Sequence, residues 1–160
     1  MKGVAVFNEG GVIGNAVFED MLTGGLKLKA IFTSLPPGEH GFHIHVNGDL
    51  RDEGCMGACS HYNKGPKRSH GGPPSSKGER HTGDLGNIGL TDHLYSYKLA
   101  DVNVSELLGR TLIVHADPDD LGKGGETDSL ITGHSGKRIS CALIGRAKDC
   151  EEKKTRKIRH

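Results

Sequence analysis

Ten histidines fall within 160 residues, and six of them, with one aspartate, are spaced as metal ligands could be. His43 and His45 lie two apart in an apolar stretch, so on an extended strand both side chains leave the same face. Alone, a His-x-His pair is more often a polar strand face than a binding site. Here it is followed by His61, His70, His81, Asp84 and His115. Neutral imidazole binds zinc and copper, and zinc also accepts a carboxylate. Seven such groups exceed what one tetrahedral ion takes up. Two neighbouring metals fit better.

These residues need elements that hold them still, and the chain offers strands rather than helices. Twenty-five glycines weigh against long helices, because each interior glycine costs ~1 kcal/mol relative to alanine. Period-two alternation is the stronger signal: Leu26, Leu28, Ala30 and Phe32 share one face, Lys27 and Lys29 the other. Similar runs at residues 3–8, 13–19, 41–46, 84–88, 94–99, 111–116 and 138–146 bring the total to eight short strands. Their Gly, Asn and Asp turns predict an all-β fold, an eight-stranded antiparallel sandwich or barrel. Helical turns are expected only at residues 117–122 and 103–108. His43 and His45 then lie on a strand, Asp84 at the start of one and His115 near the end of another. Two long connections interrupt the strands, the 37 residues 47–83 and the 21 residues 117–137. Structureless links beyond ~12–15 residues are uncommon in compact domains and usually functional or disordered. Cys, His and Asp residues concentrate in the first and at its borders, which favours function.

Composition narrows the class further. The length suits a single domain, and no apolar run approaches the ~18–20 residues of a membrane span. The N-terminus lacks the ~7–15-residue apolar core of a secretory signal, so the expected location is cytoplasmic. The net charge of +1 disfavours a nucleic-acid binder. It hides a basic tail, residues 148–160, with six Lys/Arg and three acids, which reads as a solvated extension beyond a domain of residues 1–147. Four Phe, three Tyr and no Trp make a small aromatic core, and metal is expected to supply part of the stability.

Read in order, Gly41-Phe42-His43-Ile44-His45, Gly54-Cys55, His61-Tyr62-Asn63, His70-Gly71-Gly72-Pro73 and the run from Glu79 to Asn87 resemble the copper/zinc superoxide dismutases. So do the run Gly109–His115, the run Asp119–Gly125, and Arg138 with Cys141. The resemblance extends from about Lys2 to Ala147 and implies a Greek-key sandwich whose two long loops build the site. It assigns copper to His43, His45, His61 and His115, and zinc to His61, His70, His81 and Asp84. His61 would be a shared imidazolate. The implied reaction is dismutation of the superoxide anion to oxygen and hydrogen peroxide, by alternation of Cu(II) and Cu(I). His61 would carry a proton and Arg138 would guide the anion, while Asp119 would link His43 to His70. Cys55 and Cys141 would form a disulfide. A homodimer is implied, with no nucleic-acid or membrane partner, and a copper-delivery protein is a candidate partner.

Other residues carry less. Cys59 and Cys150 read as free thiols, a Cys55/Cys59/His61 zinc cluster being disfavoured for want of a second Cys pair. His40, His93, His134 and His160 have no motif around them and read as surface residues. Asn103-Val104-Ser105 fits a glycosylation sequon without a signal to deliver it. The chain also departs from the family pattern. Ile131 stands where a channel lysine is common, which predicts a weaker salt dependence of the rate. Asn47 and Arg146 replace an aromatic and an aliphatic residue of the dimer contact, whereas Leu108 and Gly109 are conventional; self-association should be weaker.

Overall fold

The computed structural model describes residues 1–149. Nine strands occur among them: β1 (Lys2–Glu9), β2 (Val12–Asp20), β3 (Leu26–Ser34), β4 (His40–His45), β5 (Asp84–Ile88), β6 (Tyr95–Leu99), β7 (Thr111–His115), β8 (Arg138–Leu143) and β9 (Gly145–Arg146). They form two antiparallel sheets, β6-β3-β2-β1-β9 and β5-β4-β7-β8. The fold is the expected all-β sandwich, and the two sheets do not close into one barrel. The last expected strand divides in two, because β8 pairs with β7 while β9 crosses over to β1. Cys150, His160 and most of the basic tail lie outside the described residues.

The core follows from the alternation. In β3, Leu26, Leu28, Ala30 and Phe32 are buried while Lys27, Lys29 and Ile31 face water. Across the sandwich, β4 contributes Phe42 and Ile44 and β7 contributes Leu112 and Val114. All four phenylalanines are buried. Phe7, Phe32 and Phe42 pack with centroids 5.7–6.2 Å apart, and Tyr97 stacks on Phe42 at 6.3 Å. Each such ring removes enough apolar surface from water to stabilise the fold by ~1.5–3 kcal/mol.

The outer face of the four-stranded sheet is roofed by the long loops. A 3-10 segment at Glu53–Ala58 lays Cys55 and Ala58 on Ile113 of β7, beside Cys141. Cys55 and Cys141 are joined by a disulfide, fastening the first loop to β8. A one-turn helix α1 (Val104–Leu107) lies within the expected 103–108 turn. Its N-terminus is closed by Asn103 and Glu106 bonding each other's backbone. The turn expected at 117–122 is not helical: Leu121 and Gly122 take positive φ of 60° and 81°. A helical turn, α2, falls later, at Ser129–Thr132.

Candidate metal centre

β4 sends Phe42 and Ile44 into the core, so His43 and His45 must leave by the opposite face, under the roof. β7 ends at His115 beside them, and β5 begins at Asp84. The first loop returns along β4, with His61 bridging to His45 and His61–Tyr62 pinned by Tyr62 N–H to the Ile44 carbonyl at 2.7 Å. His70 and His81 follow on the same loop. Thus the strands supply four of the seven groups and one loop the other three.

The seven converge as two sets that share one ring. Potential ligand atoms of His43, His45, His61 and His115 lie within 4.8 Å of one another, as do those of His61, His70, His81 and Asp84. All are buried except His81, which is partly exposed.

Hydrogen bonds show which atom of each ring is free. His43 Nε2 donates to Asp119 Oδ2 at 2.7 Å, and His70 Nε2 to Asp119 Oδ1 at 2.8 Å. His45 Nδ1 donates to the Cys59 carbonyl at 2.7 Å, and His115 Nδ1 to that of Gly136 at 3.2 Å. Each ring has spent its proton outward, leaving a lone pair directed inward. His43 Nδ1 and His61 Nε2 are buried with no hydrogen-bond partner. His45 Nε2 faces His115 Nε2 at 3.4 Å. In the second set His61 Nδ1 faces His70 Nδ1 at 3.2 Å, and Asp84 Oδ1 lies 3.0 Å from both and 3.2 Å from His81 Nδ1. Four donors on a tetrahedral ion, with metal–nitrogen bonds of ~2.0–2.1 Å, stand roughly 3.3–3.4 Å apart. Acceptors facing acceptors at these distances call for a cation between them. The residues fit a pair of metals.

The two sets differ electrostatically. Burial, reinforced by neighbouring imidazoles, holds His43 and His45 well below the usual histidine value. Burial lowers His115 to about 3 and lowers His61 as well. All four nitrogens are neutral and ready to bind. In the second set, burial acts against the charge of His70, but hydrogen bonds to Asp119 and Asp84 overcome it and raise the ring to about 9, so that without a metal a second proton sits on its inward Nδ1, in the place a metal ion would take. Burial likewise opposes ionisation of Asp84, yet bonds from His61, His70 and His81 hold its carboxyl far below the usual range. One set is all-nitrogen and neutral; the other contains a fixed carboxylate.

Further residues hold this arrangement. Asn87 clamps Asp119 from both sides, donating Nδ2–H to its carbonyl at 2.9 Å and accepting its N–H at 2.6 Å. Asp119 also accepts from Leu121 N–H at 2.8 Å, so it shapes the loop as well as the rings. Gly133 sits against the Asp119 carboxylate and His70 Nε2 at a φ of +73°, where any Cβ would collide with both. Arg138 is half-buried and donates to the carbonyls of Cys55 at 3.1 Å and Cys59 at 2.6 Å. It therefore shares the Cys59 carbonyl with His45. His40 is not a surface residue: it is 2% exposed, with its nitrogens 2.9 Å from the carbonyls of His115 and Pro36. His93 and His134 are exposed, Cys59 is a free and exposed cysteine, and Ile131 is 63% exposed on α2.

Residues 12–144 match the family described as copper/zinc superoxide dismutase. The chain belongs to that family. Its likeness to "Superoxide dismutase [Cu-Zn] A" of Xenopus laevis is 40% identity over 151 residues, covering 91% of this chain and 97% of that protein. "Superoxide dismutase [Cu-Zn]" of Paramecium bursaria Chlorella virus 1 is 44% identical over 157 residues, covering 93% of this chain and 80% of its own. Among solved structures, that titled for the clock protein EA4 superposes with a TM-score of 0.79 at 35% identity, covering 91% of this chain and 94% of that one. Copper and zinc are the cofactors of a copper/zinc superoxide dismutase, and the two buried sets are compatible with them.

Proposed function

We propose that the chain disproportionates superoxide to oxygen and hydrogen peroxide, with copper held by His43, His45, His61 and His115 and zinc by His61, His70, His81 and Asp84. The observation that carries this reading is the His61 ring, shared by both donor sets, with Nδ1 on the Asp84 side and Nε2 buried without a hydrogen-bond partner. Four neutral nitrogens suit copper, and three nitrogens with a carboxylate suit a closed zinc site. Bound copper supplies a one-electron couple that takes an electron from one superoxide and gives it to the next.

The chain's own residues do the rest. Asp119 and the carbonyls of Cys59 and Gly136 fix ring orientation and tautomer, so the inward lone pairs need no rearrangement to bind. His61 Nδ1 is committed to the Asp84 side, which leaves Nε2 as the atom that can accept a proton and deliver it to the reduced anion. Arg138 brings a permanent positive charge and remaining N–H donors to the mouth of the His45 side. There it attracts and orients a small anion. Steering by such fields has this enzyme class as its standard case.

The chain also fits a homodimer. Leu143 is an exposed apolar residue, and Gly48 lies against Leu143 and Gly109. Exposed Asn47 and Arg146 at the same contact reduce its apolar area, which favours a weaker pairing.

Metal analysis combined with a superoxide assay tests the function. About one copper and one zinc per chain, with activity lost in His45→Ala, is the expected result. A fully copper-loaded chain that consumes no superoxide contradicts it.

A further inference from the structure

On the far side of the roof, a carboxylate stands against the disulfide. Glu9, at the end of β1, places Oε1 3.3 Å from Cys141 Sγ and 3.8 Å from Cys55 Sγ, and the same oxygen accepts the Cys141 N–H at 3.1 Å. The trio has the makings of a metal site, but sulfurs bonded to each other offer no thiolate. What remains is a negative charge beside a bond that breaks by attack of a negative reagent. A cavity of about 450 Å³ opens onto this bond, lined by Glu9, Asp52 and Arg138 with Val6 and Leu50. Among the described residues Arg138 is its one lining cation, and that guanidinium is already held by two carbonyls.

We propose that Glu9 is a charge filter for the Cys55–Cys141 disulfide, slowing its reduction by thiols and most of all by anionic ones. Reduction begins when a low-molecular-weight thiolate attacks one sulfur. The S–S bond breaks, its electron pair stays on the other sulfur, and that thiolate takes a proton from solvent. A second thiolate then attacks the mixed disulfide and frees the remaining cysteine. Two thiols are oxidised to one disulfide as Cys55 and Cys141 are reduced. The carboxylate acts on both partners of the first step. It repels the approaching thiolate, and it disfavours the charge that builds on whichever sulfur leaves. A reagent with a further negative charge meets Glu9 and Asp52 as well, while a cationic one is drawn in. The bridge that fastens the roof thus persists among anionic thiols and yields to neutral or cationic ones.

The test uses the intact, metal-loaded chain and three probes: cysteamine (cationic), 2-mercaptoethanol (neutral) and mercaptosuccinate (anionic). Rates of disulfide loss are measured at one pH and low salt and expressed per thiolate. A charge within several ångströms at a solvated surface predicts a spread of about tenfold from cationic to anionic probe. Glu9→Gln keeps an acceptor oxygen for the Cys141 N–H and removes only the charge. It should speed reduction by the anionic probe most and by the cationic one least, and narrow the spread to about threefold or less, with superoxide consumption of the oxidised protein unchanged. Raising the salt to ~0.5 M should narrow the spread of the native chain in the same way, independently of the variant's folding. Equal rates for all three probes on the native chain, or an unchanged spread in a folded Glu9→Gln, would overturn the proposal.

Discussion

The two sheets treat their outer faces in opposite ways. In the five-stranded sheet, β3 alternates without exception up to its last residue, buried then exposed, and its outer residues meet water. In the four-stranded sheet every residue of β4 and β7 is buried. The sheet is not sunk in a second hydrophobic core. Its outer face carries His43, His45 and His115, and loops cover them. Burying so many polar rings is costly unless each nitrogen is partnered. Asp119 and the loop carbonyls partner the outward nitrogens, and the inward ones are left for metal. One face of the sandwich holds the fold together, and the other holds a reactive site in place.

The largest difference between the faces should appear on truncating a ring in the shared core. Phe42→Ala removes contacts to Phe7, Phe32 and Tyr97 and is expected to cost about 3–5 kcal/mol in denaturant unfolding. Next comes the partnering of the roofed face. Asp119→Asn removes a charge that two rings share and should weaken metal retention about 10–100-fold in chelator competition, with the sandwich still folded. On the watered face, Ile31→Thr should change stability by no more than about 0.5 kcal/mol.

The smallest effect expected is a matter of pH. The exposed His134–Asp128 pair, 2.6 Å apart, raises His134 above its ordinary 6.5 and lowers Asp128 below its ordinary 3.8, each through the hydrogen bond between them. The histidine's contribution is complete below pH 6.5 and fades as pH climbs through its raised value. The aspartate's is complete above pH 3.8 and fades as pH drops through its lowered value. His134→Ala should therefore lower the melting temperature slightly at pH 5.5 and leave it unchanged at about pH 9. An equal loss at both would assign His134 a packing role.

Legibility in the sequence divides along the same line. Alternation revealed the watered sheet because each strand reports both its faces; Lys27 and Lys29 mark the solvent as plainly as Leu28 marks the core. Residue types and order also named the seven groups that the loops and strands bring together. Backbone groups were invisible. The Cys59 carbonyl holds both His45 and Arg138, yet Cys59 reads only as a thiol. His40 is buried by two carbonyls that no side-chain pattern announces. The division of the last strand depends on β1 lying beside β9, a contact between opposite ends of the chain. Turns of four residues such as α2 are too short to show a period.

The most direct measurement is anomalous diffraction from crystals of the metal-loaded chain, collected at the copper and zinc edges. The expected maps show one copper peak among His43 Nδ1, His45 Nε2, His61 Nε2 and His115 Nε2, and one zinc peak among His61 Nδ1, His70 Nδ1, His81 Nδ1 and Asp84 Oδ1. Copper and zinc peaks that do not share the His61 ring would contradict the bridged centre and the proton path assigned to Nε2.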